Sequence, residues 1–324
     1  MLHLLLASTF IAAPAAPVVK GPAIEGWIRT EAGKPLQATV GLIPMSTRAS
    51  SLALKSVESL GVPNKKKPGF KLPVPKPGLY LLDVRAKGHL PLQIPVLLGE
   101  EGLKDLDLTP RPEKPKGEVK PISADAQLVK REAIYGAFKA RDEKGRAAFK
   151  NREKLDWSSD LEVLAKAFQD ESDADSQALL AMGYLSLGSL GAKLSPETAV
   201  QALDKLSAKS PYWAMSPQIM GASFAAAGRH QAFSEFRETV AKENPEPEVR
   251  AYALFSQLAA ASRLGDMDKM KALYQVLTTE YKDTAAARSA KQLDPAKYQG
   301  KGVVSPEVQP KALEETVKEA PKAE

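Results

Sequence analysis

The chain has 324 residues, 44% of them hydrophobic and 26% charged, with a net charge of +6. This is a globular composition, long enough for about two domains and incompatible with global disorder. There is no cysteine, which excludes disulfides, thiolate catalysis, thiolate metal sites and lipid attachment through a lipobox.

The opening residues MLHLLLASTFIAAPAAPVVK carry a short apolar core from Leu4 to Ala13, followed by the small-x-small triplet Ala13-Pro14-Ala15. Residues 1–15 are expected to be a signal peptide, which makes the protein periplasmic or secreted. The charge before the core is limited to His3 and the terminal amine, and the run is far below the ~20 residues needed to span a bilayer. Next, IEGWIRTEAGKPLQATVGLIP (24–44) supplies two strands around the turn Glu31-Ala32-Gly33-Lys34-Pro35. The stretch ASSLALKSVESLGVPNKKK (49–67) is longer and more helix-like than a simple strand connection.

From residue 68 to 98 apolar side chains alternate with polar ones, and prolines and glycines are set among them. Phe70, Leu72 and Val74 share one face, as do Tyr80, Leu82, Val84 and Ala86, and then Leu90, Leu92, Ile94, Val96 and Leu98. Period two predicts three short half-buried strands, separated by turns at Lys76-Pro77-Gly78 and Lys87-Gly88-His89. Proline cannot donate to a ladder, so Pro73, Pro75, Pro91 and Pro95 belong on edge strands or at non-bonding positions, as a small antiparallel sandwich allows.

The set Gly26-x-Ile28, Gly33-x-Pro35-Leu36, Ala38-x-Val40 and Pro77-Gly78-x-Tyr80-x-Leu82 with Gly88 resembles the transthyretin-like β-sandwich of carboxypeptidase regulatory-like domains, over residues 21–110. That resemblance implies a stable module beside a catalytic or binding domain, in a fold class also described as carbohydrate-binding-like. Glycan binding usually needs exposed aromatic platforms, and Trp27 is the one tryptophan in this part of the chain. On a Gly-x-Ile strand its expected place is covering the sandwich or the second domain.

TPRPEKPKGEVKP (109–121) is proline-spaced and charged, and residues 111–122 are expected to form an extended, semi-rigid linker. Beyond it apolar residues recur at three and four spacing, predicting helices throughout 123–292, with Ser195-Pro196-Glu197 and Ser216-Pro217 as capped starts. Sliding RHQAFSEFRETVAKENPE onto DMDKMKALYQVLTTEYKD aligns Gly228 with Gly265, Phe233 with Met270, Phe236 with Leu273 and Val240 with Leu277, a spacing of 37 residues. A repeated helical hairpin follows. Residues 248–283 resemble a tetratricopeptide-type hairpin, with Leu264-Gly265 at its turn and Met270 where a small alanine is usual. The fold class expected is therefore multidomain: an all-β transthyretin-like (prealbumin-like) sandwich plus an all-α TPR-like helical repeat domain.

The combination is similar to the N-terminal accessory region of periplasmic thioredoxin-family thiol-disulfide oxidoreductases. The redox domain and its Cys-x-x-Cys are missing from the sequence, so that activity is not implied. Residues 295–324, rich in Pro, Lys and Glu, are expected to be a disordered tail.

No catalytic, cofactor or metal motif stands out. His3, His89 and His230 are far apart, the acids of Asp170–Asp175 suit a helix end and a capped start better than a calcium loop, and no serine lies in Gly-x-Ser-x-Gly. The surplus of positive charge is +6 over residues 1–112 and +5 over 113–154, against −5 over the rest, and it includes Lys65-Lys66-Lys67. Without interleaved aromatics this reads as solvated surface, and no nucleic-acid partner is expected. The reading is a non-enzymatic, exported interaction protein, without a cofactor, whose helical array binds a protein or peptide partner. Tyr212, Trp213 and Arg250 are its candidate contacts. The alternatives are a glycan-binding or envelope-anchoring module built on the sandwich, or an accessory subunit of a separately encoded redox or peptidase enzyme.

Overall fold

A computed structural model describes residues 22–45, 55–58, 69–74, 76–115 and 117–297. The predicted signal segment, Lys65–Lys67, Pro75 and all but the first residues of the predicted tail lie outside the described residues. The architecture is mixed α/β, a β region followed by a helical region.

Strands β1 (Ala23–Ile28), β4 (Phe70–Pro73) and β7 (Gly102–Leu108) form one sheet in the order β4-β1-β7. Strands β2 (Thr39–Pro44), β3 (Lys55–Glu58), β5 (Gly78–Arg85) and β6 (Leu92–Leu98) form a second, in the order β3-β2-β5-β6. The period-two faces meet in one core: Ile24, Phe70, Leu72 and Leu108 of the first sheet pack with Val40, Leu82, Val84 and Ile94 of the second. Pro73 and Pro95 lie on the edge strands β4 and β6, which need backbone partners on one side only. Gly33 and Gly88 stand in turns with φ of 75°, a conformation costly for any residue with a Cβ. The pairing is not wholly antiparallel, because β7 runs parallel to β1.

Three expectations from the sequence need correction here. Within the stretch 49–67, read as helix-like, the described residues Lys55–Glu58 form strand β3, paired antiparallel with β2. Strand β5 is not half-buried: Leu79, Leu81 and Asp83 are buried along with Tyr80, Leu82 and Val84. Alternation reports only the face turned to the β core, and the other face is covered by helices. Asp83 accepts hydrogen bonds there from Arg85 and Gln93, at 2.7 and 2.9 Å, so its carboxylate is not buried alone.

Nor does the proline-spaced segment after residue 108 hold the two regions apart. It folds back on the β region: Arg111 and Gly88 carbonyls accept from Leu90 and Glu113, and Thr109 N–H donates to the Ile122 carbonyl at 2.7 Å. Ile122 and Leu128 complete the β core. The Arg111 guanidinium makes a two-bonded ion pair with Glu132 on the first helix, at 2.8 and 2.9 Å.

That helix, α1 (Ala126–Asn151), starts on Asp125, whose carboxylate accepts from the Gln127 and Leu128 N–H groups. It packs across β6 and then against α3. The remaining helices are α2 (Ser158–Asp170), α3 (Ala174–Ser189), α4 (Pro196–Asp204), α5 (Met220–Ala226), α6 (Ala232–Glu243), α7 (Pro247–Leu264), α8 (Met267–Thr279) and α9 (Ala285–Ala290). The aligned glycines Gly228 and Gly265 occupy matching places, with φ of 68° and 70° just before α6 and α8. Val240, Met270 and Leu277 of the aligned set are fully buried. The acids near residue 172 do what helix ends require: Asp173 caps α3 by accepting from Ser176 N–H at 2.8 Å, and Glu171 pairs with Lys130.

The two regions are joined by buried contacts. Leu79 of β5 belongs to the main helical core. Beside it Glu246, 4% exposed, accepts a 3.0 Å hydrogen bond from Leu79 N–H. The approach needs Gly78, since a Cβ there would lie 2.8 Å from the Glu246 carboxylate. Burial raises the Glu246 pKa, against the lowering effects of the Leu79 N–H, Lys76 and Arg250.

Candidate partner-binding face

Between α4 and α5 the chain carries two Ser–Pro pairs, Ser210-Pro211 and Ser216-Pro217. Proline disfavours helical backbone in the residue before it. The second proline therefore splits this stretch into two short 3-10 turns, Pro211–Met215 and Pro217–Ile219, before α5 begins. Ser195 caps α4 as predicted, but the buried Ser216 hydroxyl makes no capping bond.

The first turn drives its aromatics inward. Trp213 is fully buried, donates its indole N–H to the Ser207 carbonyl at 3.1 Å and meets Phe236 edge-on at 5.9 Å. Tyr212 is 3% exposed, and its burial pushes the phenol pKa up, opposed by Arg131. Neither predicted contact residue is open to a partner. They are core side chains, for the reason that makes large aromatics valuable in any core, the apolar area they bury. Arg250, the third, is half-buried on α7 and holds the Asn244 and Pro245 carbonyls and the Tyr281 hydroxyl. It fixes the loop before α7, and all three of its contacts are internal.

The 3-10 turns pack against α3 on one side and α7 on the other, and α7 packs against α9. Where they meet is a cleft of about 180 Å3 lined by Met215, Pro217, Gln218, Glu248, Tyr252 and Phe255, with Ala285, Ala286 and Ser289 of α9 as its far wall. A smaller recess of about 40 Å3 lies next to it between α1 and α3, and Gln218 lines both. Glu248, Tyr252 and Phe255 stand at i, i+4 and i+7 on α7, hence on one helix face. The rings of Tyr252 and Phe255 touch, with centroids 6.3 Å apart. The Tyr252 pKa is raised by burial, and its hydroxyl has no hydrogen-bond partner among the described residues. Glu248 accepts from Ala285 N–H at 2.7 Å, and burial raises its pKa despite that bond and the nearby Arg288.

This combination can grip apolar side chains between aromatic walls while Tyr252 and Gln218 offer hydrogen bonds at the rim. A wider depression of about 430 Å3 between α4 and α6 differs in kind, because it carries Glu235 and the ion pair of Asp204 with Arg229, at 2.7 Å. Trp27 faces outward on β1 but is not a free platform. Its ring lies against Gly69, and the Arg29 guanidinium sits 5.8 Å from the ring centre.

Among the described residues no cluster of three or more His, Asp or Glu side chains could hold a metal ion, and no helix is long and apolar enough to cross a membrane. No protein-family model, curated protein or solved structure matches the chain.

The cleft residues were not singled out by the sequence pattern. Glu248, Tyr252 and Phe255 do show helical spacing, but a stripe facing a groove and a stripe facing a core have the same period. Only the break at Pro217 distinguishes them, by removing the helix turn that would otherwise fill the space.

Proposed function

We propose that this chain is an exported, non-enzymatic interaction protein whose helical region binds an extended peptide segment of a partner protein. The observation that carries this reading is the apolar cleft between the 3-10 turns, α7 and α9, continued by the recess that shares Gln218. Its walls come from several elements of the helical region packed side by side, and helical-repeat proteins take peptides on such surfaces.

On the same reading the β region is a transthyretin-like sandwich of the carboxypeptidase regulatory-like type, and the helical region a divergent TPR-like array. The paired glycines Gly228 and Gly265 support the second, since both sit at positive φ before equivalent helices. The apolar run Leu4–Ala13 and the resemblance to the accessory part of periplasmic thiol-disulfide oxidoreductases support a periplasmic or secreted docking unit. A glycan-binding role for the sandwich has less support, because the Trp27 ring already has Gly69 and the Arg29 guanidinium as neighbours.

The test is selection from a random peptide display library on wild-type protein and on Phe255→Asp. Peptides enriched on the wild type, carrying one or two apolar anchors and not retained by the variant, are the expected result. Enrichment that is equal on both proteins would overturn the reading.

A further inference from the structure

Arg237 of α6 lies in the groove against α7, donating to the Ser256 carbonyl and hydroxyl, both at 3.3 Å, with its guanidinium 5.4 Å from the Phe233 ring centre. Its Nε is buried and has no hydrogen-bond partner. Burial lowers its pKa, Glu238 acts in the opposite direction and the neighbouring Arg263 adds to the lowering. Neither arginine forms an ion pair with any described residue, although most of the protein's other partly buried arginines do, including Arg111, Arg131 and Arg141. Arg263 spends only its Nε–H, on Ala259 of its own helix at 3.3 Å.

The carbonyls these two guanidinium groups hold are three residues apart on α7, which sets two like charges, one of them partly desolvated, along the same helix face without the counter-charge that usually compensates such burial. A carboxylate bridging them would relieve the repulsion and use the planar donor fork, a geometry to which arginine is suited and a hydrated lysine is not. The pair also continues the cleft. Tyr252, Ser256, Ala259 and Arg263 stand at i, i+4, i+7 and i+11 on one face of α7, so the carbonyls that the two guanidinium groups hold, Ser256 and Ala259, lie about 6 and 10 Å beyond Tyr252 at 1.5 Å per residue. An extended chain covers that span in about two to three residues.

We propose that Arg237 and Arg263, floored by Phe233 and Ser256, form an anion subsite that receives an Asp or Glu side chain of the bound peptide. The choice of a side chain over a chain terminus follows from the surroundings. Terminal carboxylates are captured by nests of backbone N–H groups, whereas the backbone contributes carbonyls here, those of Ser256 and Ala259. The assignment rests on the peptide-binding reading for its partner, and the test separates the two.

The probe is N-acetyl-glutamate amide added to full-length protein labelled with 15N, following the arginine Nε–Hε signals, with N-acetyl-glutamine amide at equal ionic strength as control. The expected result is a saturable shift of the Arg237 signal with the glutamate compound only. In Arg263→Gln, whose lost side chain holds nothing but its own helix, affinity should fall about two- to fivefold, the range of one exposed charge contact. Equal shifts with both compounds, or an unchanged affinity in Arg263→Gln, would overturn the subsite. So would inorganic phosphate binding more than about tenfold tighter than the glutamate compound, since a doubly charged tetrahedral anion would then be the better fit. If display peptides bind through Phe255 but contain no acid about two to three residues from their anchors, the subsite fails and the docking reading stands. If the probe binds and no peptide does, the reverse holds.

Discussion

Replacing Glu246 tests how the β and helical regions hold together. Glu246→Ala removes the acceptor of the Leu79 N–H in a site where the glutamate is 4% exposed. Leaving a buried donor unsatisfied costs about 1–3 kcal/mol, and the space left by the side chain adds to it. Glu246→Gln keeps an oxygen for the same bond and removes the buried charge, so at neutral pH it should be at least as stable as wild type.

The pH dependence follows from the sign of the shift. The folded pKa is raised by burial, with Tyr80, Lys76 and Arg250 the titratable groups facing it. The folded state therefore binds this proton more tightly than the unfolded chain, whose ordinary value is 4.5. Its stabilising contribution is full below that value and is lost as pH rises through the folded pKa. The advantage of the glutamine variant should accordingly be largest at pH 7 and vanish toward pH 4.5. Urea unfolding followed by tryptophan fluorescence at both pH values measures this, with Trp27 reporting on the β region and Trp157 and Trp213 on the helices. If the alanine and glutamine variants lose the same amount at neutral pH, or the alanine variant loses less than about 0.5 kcal/mol, well under the cost of an unpaired buried donor, the reasoning is refuted.

Gly102 has φ of 72°, and a Cβ there would lie 2.1 Å from the Ala23 carbonyl oxygen. Gly102→Ala should separate the parallel β1–β7 pair at a cost above about 2 kcal/mol, seen as a lower urea midpoint. Trp213→Ala should lose about 3–5 kcal/mol as a core truncation, and a variant that keeps its stability while losing only partner binding would put Trp213 on the surface. Asp173→Ala should cost about 1 kcal/mol as a lost helix cap. The Ser176 hydroxyl beside it and then the hydrogen bond from the Ser176 N–H hold the Asp173 carboxyl below its ordinary 3.8. Its contribution is therefore present above that value and is lost as pH falls through the folded pKa, so the penalty of the alanine variant should shrink in acid, as thermal melts at pH 7 and pH 3 would reveal.

The strands were legible because period two and the placement of proline are local signals. Phe70–Pro73, Gly78–Arg85 and Leu92–Leu98 fall where the alternation put them. The burial of Asp83 was not legible, since it depends on helices more than forty residues away in sequence, which nothing in the strand pattern announces. The 37-residue offset between Gly228 and Gly265 carried real conformational information, both glycines being left-handed where the preceding helices, α5 and α7, end. The candidate contacts failed for a related reason. Composition marks Tyr212 and Trp213 as large aromatics, but whether such a ring enters the core or lines a groove is decided by neighbouring elements. At this site those elements are the broken turn at Pro217 and the far wall supplied by α9.

The most direct test of the docking face is photo-crosslinking. A display-selected peptide carrying a benzophenone side chain is irradiated with the full chain, and the labelled fragments are identified by mass spectrometry. The account predicts labels within residues 211–219, 247–264 and 285–290, suppressed by unlabelled peptide. Labels concentrated in the β region, between residues 22 and 108, would contradict it.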